Sequence, residues 1–218
     1  MTKKVKAKKI LSVLEELYPF DFTCFLNYSE PWQLLIATIL SAQCTDERVN
    51  RVTEVLFKKY QSLEDFAIAD FDTLAADVRP TGFFRAKAGN IIGSAKMLVN
   101  QYGGELPDDI ESLTALPGVG RKTANVVRGH IFRIPSIVVD THVIRLSNRL
   151  GLTVNKDPVK IEYDLMKILP EESWIPYNQQ IITHGRKICT ARSPKCAECE
   201  LYSFCINKNM KAKNERII

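Results

Sequence analysis

The chain has 218 residues, 45% of them hydrophobic and 25% charged, with a formal net charge of +5. That composition is ordinary for a globular protein and excludes a disordered or fibrous chain. No apolar run approaches the roughly 18–20 residues of a membrane helix, and no apolar core follows the basic N-terminus MTKKVKAKKI as in a secretory signal; no membrane partner and a cytoplasmic location are expected.

The charge is unevenly placed. Residues 1–9 carry five lysines and no acid, and residues 186–216 carry eight Lys/Arg against Glu198, Glu200 and Glu215. Each end is therefore +5 while residues 10–185 sum to −5. Such a split suits a protein that meets a polyanion through limited surfaces, and a pair of solvated tails has the same signature.

Helical periodicity runs through almost the whole chain. A first helix is expected over 9–18. Trp32–Leu40 is apolar nearly all round, which predicts a buried helix with Pro31 in its first turn and the polar Ser41 and Gln43 at its end. Val49, Val52 and Leu56 recur at three- and four-residue steps behind Asp46, a candidate N-cap. Gly82, Phe83 and Phe84 precede Arg85 and Lys87; this reads as an apolar wedge beside phosphate-binding cations, or as a hydrophobic staple at a helix start. Further helices are expected over 84–102, 157–169 and 174–188. The one strand-like stretch, Ile137–Val139, is too short to organise a sheet. The fold class is all-α.

The stretch 108–132, DDIESLTALPGVGRKTANVVRGHIF, reads as two helices around a tight turn. Asp108 and Glu111 form a capping-box-like start, and Leu116 must leave the helix because Pro117 follows it. Gly118 and Gly120 permit a sharp turn and close approach of another backbone. Arg121 and Lys122 then occupy the first turn of the second helix, where the dipole disfavours cations. Glycine N–H groups beside two cations make a seat for phosphate. A Walker A loop is excluded, because it needs Gly where this chain has Arg121 and a strand before it; an ordinary helical hairpin with two surface cations has the same spacing.

Asp140 stands at the start of another helix, whose apolar positions are Val143, Leu146 and Leu150; capping alone would account for it. His142, two residues further, cannot face Asp140 on that helix and is expected to serve structure or a backbone phosphate of the polyanion. Cys44 is expected to pack as a small hydrophobe. Cys189, Cys196, Cys199 and Cys205 fall within seventeen residues with spacing C-x6-C-x2-C-x5-C. A tight set of four in such a chain reads as a metal site, zinc or an iron–sulfur cluster.

LPGVGRKTA (Leu116–Ala124) resembles the helix-hairpin-helix signature of the endonuclease III family of DNA glycosylases. The resemblance extends through LSAQCTD at 40–46, TGFFRAKA at 81–88, VDTHVIRLSNRL at 139–150 and the cysteine spacing. It implies the family's all-α fold in two domains: a six-helix bundle over 22–134 with the hairpin, and a second domain from 1–21 plus 135–218 with the cysteine loop. Lys122 and Asp140 would face each other across the groove between them. It implies a base-excision-repair enzyme that removes oxidised pyrimidines from double-stranded DNA and nicks the abasic site, acting as a monomer.

In that scheme Lys122 is the nucleophile and forms a Schiff base, Asp140 assists it, Gln43 fills the space of the extruded base, and Phe83 intercalates. Gly118, Gly120 and Arg121 bind DNA. The four cysteines hold a [4Fe–4S] cluster, with zinc as the alternative, and Arg186, Lys187, Arg192 and Lys195 contact the DNA backbone beside it. Related adenine-mismatch glycosylases carry a hydroxyl residue at the lysine position; a mismatch-specific glycosylase is the alternative enzyme, and a non-catalytic metal-containing DNA-binding module the alternative class.

Overall fold

The computed structural model describes residues 1–207, and these contain helices, turns and loops but no strand. The chain forms two compact units, one from residues 24–134 and one from residues 1–23 with the chain after 134.

The first unit begins with α2 (Pro31–Leu40), buried on every side from Gln33 to Leu40. Gln33 closes its start by accepting from the Glu30 and Ser29 backbone. Then come α3 (Asp46–Lys59), α4 (Leu63–Ala67), α5 (Phe71–Asp77), α6 (Phe84–Tyr102), α7 (Ile110–Ala115) and α8 (Arg121–His130). These are seven α-helices rather than the expected six, because Ser62 and Asp70 each cap a short helix within 62–77. Leu34, Leu40, Leu56, Phe66, Leu74, Ile91, Leu98, Leu113 and Val127 share one core. The caps of α3 and α7 each fall one residue from the expected position. Thr45 rather than Asp46 accepts from Arg48 N, and Asp109 rather than Asp108 accepts from Ser112 N at 2.7 Å. In both pairs two good capping residues are adjacent, and the burial of Val49 and Leu113 selects the helix phase.

The second unit holds α1 (Lys3–Leu17), α9 (Thr141–Arg149), α10 (Pro158–Met166) and α11 (Trp174–Lys187). Its core joins Ala7, Ile10, Leu14, Val143, Leu146, Ile161, Leu165, Tyr177 and Ile181. The N-terminal lysines are not a tail: α1 starts at Lys3 and buries Ala7, so they line its first two turns. The basic residues from Lys208 onward lie outside the described residues. Ile137–Val139 does not form a strand, because the Asn178 side chain takes the place of a neighbouring strand. Its oxygen accepts from Val138 N at 2.8 Å and its amide donates to Val138 O. This clamp fixes the chain just ahead of Asp140.

Candidate functional site

The α7–α8 hairpin is built on α6. Leu116 is extended ahead of Pro117, and Gly118 has φ +76°, a conformation glycine adopts without strain. Ser94 Oγ donates to Pro117 O at 2.7 Å, and a Cβ added to Gly93 would lie 3.0 Å from the Pro117 ring. Gly120 differs from the expectation of a conformationally required glycine. Its φ is −91°, open to any residue, and an added Cβ would meet nothing within 4 Å. Gly120 leaves free space before α8, and no side chain caps that helix. Lys122 is exposed in the first turn of α8, with Arg121 half-buried beside it.

Three exposed side chains of this unit stand on unusual backbone: Gln43, just past α2, has φ +52°, Phe83, just before α6, has φ +47°, and Arg133, after α8, has φ +58°. Left-handed backbone at a non-glycine residue costs free energy and concentrates at functional positions. The two phenylalanines differ in their surroundings. Phe84 packs on the core, as a staple does, while Phe83 is 66% exposed. Cys44 packs partly buried against the same core. Arg85 stacks on Phe71 and pairs with Asp72 at 3.0 Å.

Lys87 corrects the sequence reading. It is no phosphate-binding cation, being 3% exposed. Its ammonium donates to Leu40 O at 2.7 Å and Thr81 O at 2.8 Å.

In the other unit Asp140 caps α9, its Oδ1 accepting from Val143 N at 2.8 Å. His142 Nδ1 lies 3.0 Å from Arg145 Nη2, and Arg145 also donates to Gly185 O and Cys189 O. His142 is thus part of the framework beneath the cysteine loop.

Cys189, Cys196, Cys199 and Cys205 are unpaired thiols, each half-buried, and all four line one cavity with Arg149, Ile188, Pro194 and Tyr202. A zinc ion requires its sulfurs drawn to about 2.3 Å from one point. An iron–sulfur cluster takes thiolates around a larger centre, and a cavity lined by all four sulfur-bearing side chains fits that donor set. Arg149 fastens the loop by donating to Thr190 O, Ala191 O and Cys189 Sγ, the last at 3.2 Å. The buried His184 lies 3.5 Å from Cys199 Sγ through Nε2 and 3.1 Å from the Tyr18 hydroxyl through Nδ1. With Tyr18 donating to Nδ1, Nε2–H is aimed at the sulfur. Burial, reinforced by the neighbouring cysteines, pushes the Cys199 thiol up to about 11 and raises Cys196. A bound metal reverses that preference by taking thiolates. Arg186, Lys187, Arg192 and Lys195 are exposed around this loop.

Residues 36–171 match the model of the HhH-GPD superfamily of base excision DNA repair proteins, and residues 189–205 match the iron–sulfur binding domain of endonuclease III. The endonuclease III of Synechocystis sp. is 51% identical across 94% of this chain and 93% of its own length. The chain belongs to the endonuclease III family. The endonuclease III of Bacillus subtilis is 49% identical over 89% of both chains. A trapped endonuclease III–DNA covalent intermediate superposes with TM-score 0.92 and 42% identity, over 97% of this chain and all of that one. A thermostable thymine-DNA glycosylase at 24% identity and TM-score 0.83 shares the fold. The match to the iron–sulfur binding domain of endonuclease III spans the loop that carries all four thiols. Among the described residues no helix is long and apolar enough to cross a membrane.

Proposed function

We propose that this chain excises oxidised pyrimidines from duplex DNA and nicks the resulting abasic site through a Schiff base on Lys122. One observation carries the reading: an exposed lysine amine in the first turn of an uncapped helix, behind a glycine with open space before it, in a chain half identical to an endonuclease III.

Gly118, Gly120 and Arg121 hold a backbone phosphate at the start of α8, where the helix dipole favours an anion. Phe83 enters the base stack and Gln43 fills the space of the extruded base, its amide able both to donate and to accept. The neutral Lys122 amine attacks C1′ as the glycosidic bond breaks, and the bonding pair leaves with the base, which takes up a proton. Asp140 stabilises the positive charge that develops on the sugar, while its cap holds the carboxylate still. The sugar ring opens to a protonated imine. Loss of a C2′ proton expels the 3′ phosphate, and water then frees the lysine.

The unit spanning 24–134 acts as the DNA-opening domain, and the other carries Asp140 and the metal site. The cysteines hold a [4Fe–4S] cluster, which when bound contributes four iron–thiolate links that tie the loop down. The reaction is redox-neutral, so no step needs electrons from it. The enzyme works as a cytoplasmic monomer.

The test is a duplex oligonucleotide with one thymine glycol. Wild type releases the base and cuts the strand, and Lys122→Ala does neither. Release of unmodified mismatched bases in preference to thymine glycol would overturn the substrate assignment.

A further inference from the structure

The ammonium of Lys87 joins Leu40 and Thr81, forty-one residues apart in the chain. Leu40 is the last residue of α2 and stands three residues before Gln43; Thr81 ends the short helical turn Arg79–Thr81, two residues before Phe83. Each carbonyl lies at a helix end, where acceptors lack partners within the helix. Lys87 lies in the first turns of α6, and a helical side chain leans toward its own N-terminus. That direction brings the ammonium to both loops. Its backbone N–H also donates to Phe83 O at 3.0 Å, so one residue holds the wedge from two sides.

A buried ammonium is an expensive way to join two carbonyls, and burial lowers this lysine's pKa. A fold needing only apolar filling at this position would be served by leucine or methionine. What the charge adds is a fixed geometry at the roots of two loops whose tips both sit in left-handed backbone.

We propose that Lys87 is a positioning residue for strand opening: its ammonium cross-ties the Leu40 and Thr81 carbonyls so that Gln43 and Phe83 enter the duplex as one rigid device. The inference rests on the reading of Gln43 and Phe83 given above.

The experiment compares wild type with Lys87→Met, which keeps the apolar stem and removes the donors. Three quantities are read: borohydride trapping on a single-stranded abasic oligonucleotide, excision of thymine glycol from a duplex, and fluorescence of 2-aminopurine beside the lesion on binding. Trapping should stay within twofold, because a single strand needs no opening. Duplex excision should fall at least tenfold, and the 2-aminopurine rise should be lost with it. Duplex excision within twofold of wild type, or trapping reduced by the same factor as excision, would overturn the proposal. Should Lys87→Met not fold, Lys87→Gln, with donors on a shorter side chain, is read by the same criteria. The fluorescence needs no chemistry. A wild type that opens the duplex without excising would therefore count against the enzymatic reading alone.

Discussion

Asn90 occupies the space that a side chain at Gly118 would need: an added Cβ would lie 2.6 Å from its Nδ2 and 2.7 Å from its Cβ. The contact is with the root of a side chain on α6, not a flexible tip, so it cannot be relieved cheaply. Gly118 also has positive φ, which Ala tolerates poorly. Gly118→Ala should lower stability by about 2 kcal/mol. Gly120→Ala should change it by less than about 0.5 kcal/mol, yet weaken duplex DNA binding by placing a methyl where a phosphate docks. Denaturant titration and binding isotherms check both. A Gly120→Ala protein that binds DNA normally would contradict the role given to that open ground.

Asp140 separates capping from catalysis. Asn caps about as well as Asp, so Asp140→Asn should keep wild-type stability within about 0.5 kcal/mol, while Asp140→Ala loses about 1 kcal/mol. Both should lower excision at least a hundredfold while retaining duplex binding. A fully active Asp140→Asn would mean that the carboxylate is only a cap.

Phe83 and Phe84 should respond in opposite ways. Phe83 is two-thirds exposed, so Phe83→Ala should leave the melting temperature nearly unchanged and slow excision from duplexes. Phe84 packs on the core, so Phe84→Ala should cost about 2 kcal/mol. Thermal melts beside excision rates check the contrast.

These residues also mark how much a reader of the sequence alone could see. The turn at Pro117–Gly118 and the cations after it were legible because the requirement for Gly there is local, as was the Asp140 cap. Cap positions slipped by one at Thr45 and Asp109 because adjacent residues cap equally well, and core packing makes the choice. Lys87 departs from its sequence pattern for a deeper reason. Beside Arg85 it resembles a surface cation, and its acceptors belong to residues 40 and 81. No local pattern announces a burial decided by chain segments brought together in space. The clamp of Asn178 on Val138 was equally invisible, forty residues away.

His130 gives the fold an acid-sensitive contribution. Burial, with Arg133 adding to it, holds its imidazole below the usual range. The unfolded chain therefore binds this proton more readily than the folded one. The stabilisation is complete above the unfolded value of about 6.5 and is lost as pH falls from there through the folded value. His130→Gln should show a shallower loss of unfolding free energy than wild type across that acidic window. Equal slopes would contradict the assignment.

The metal site has its own readout. The purified protein should show a broad visible absorbance band and about four iron atoms per chain. Arg149→Met removes the bond to Cys189 Sγ and the two that hold the loop backbone. It should lose iron to a chelator several times faster. One tightly bound zinc and no colour would contradict the cluster.

The most direct measurement is borohydride reduction of the enzyme on duplex DNA with a single abasic site, followed by mass mapping of the cross-linked peptide. The account predicts one adduct, on Lys122, and none with Lys122→Ala. An adduct mapped to another amine, or strand cleavage undiminished in the alanine variant, would contradict it.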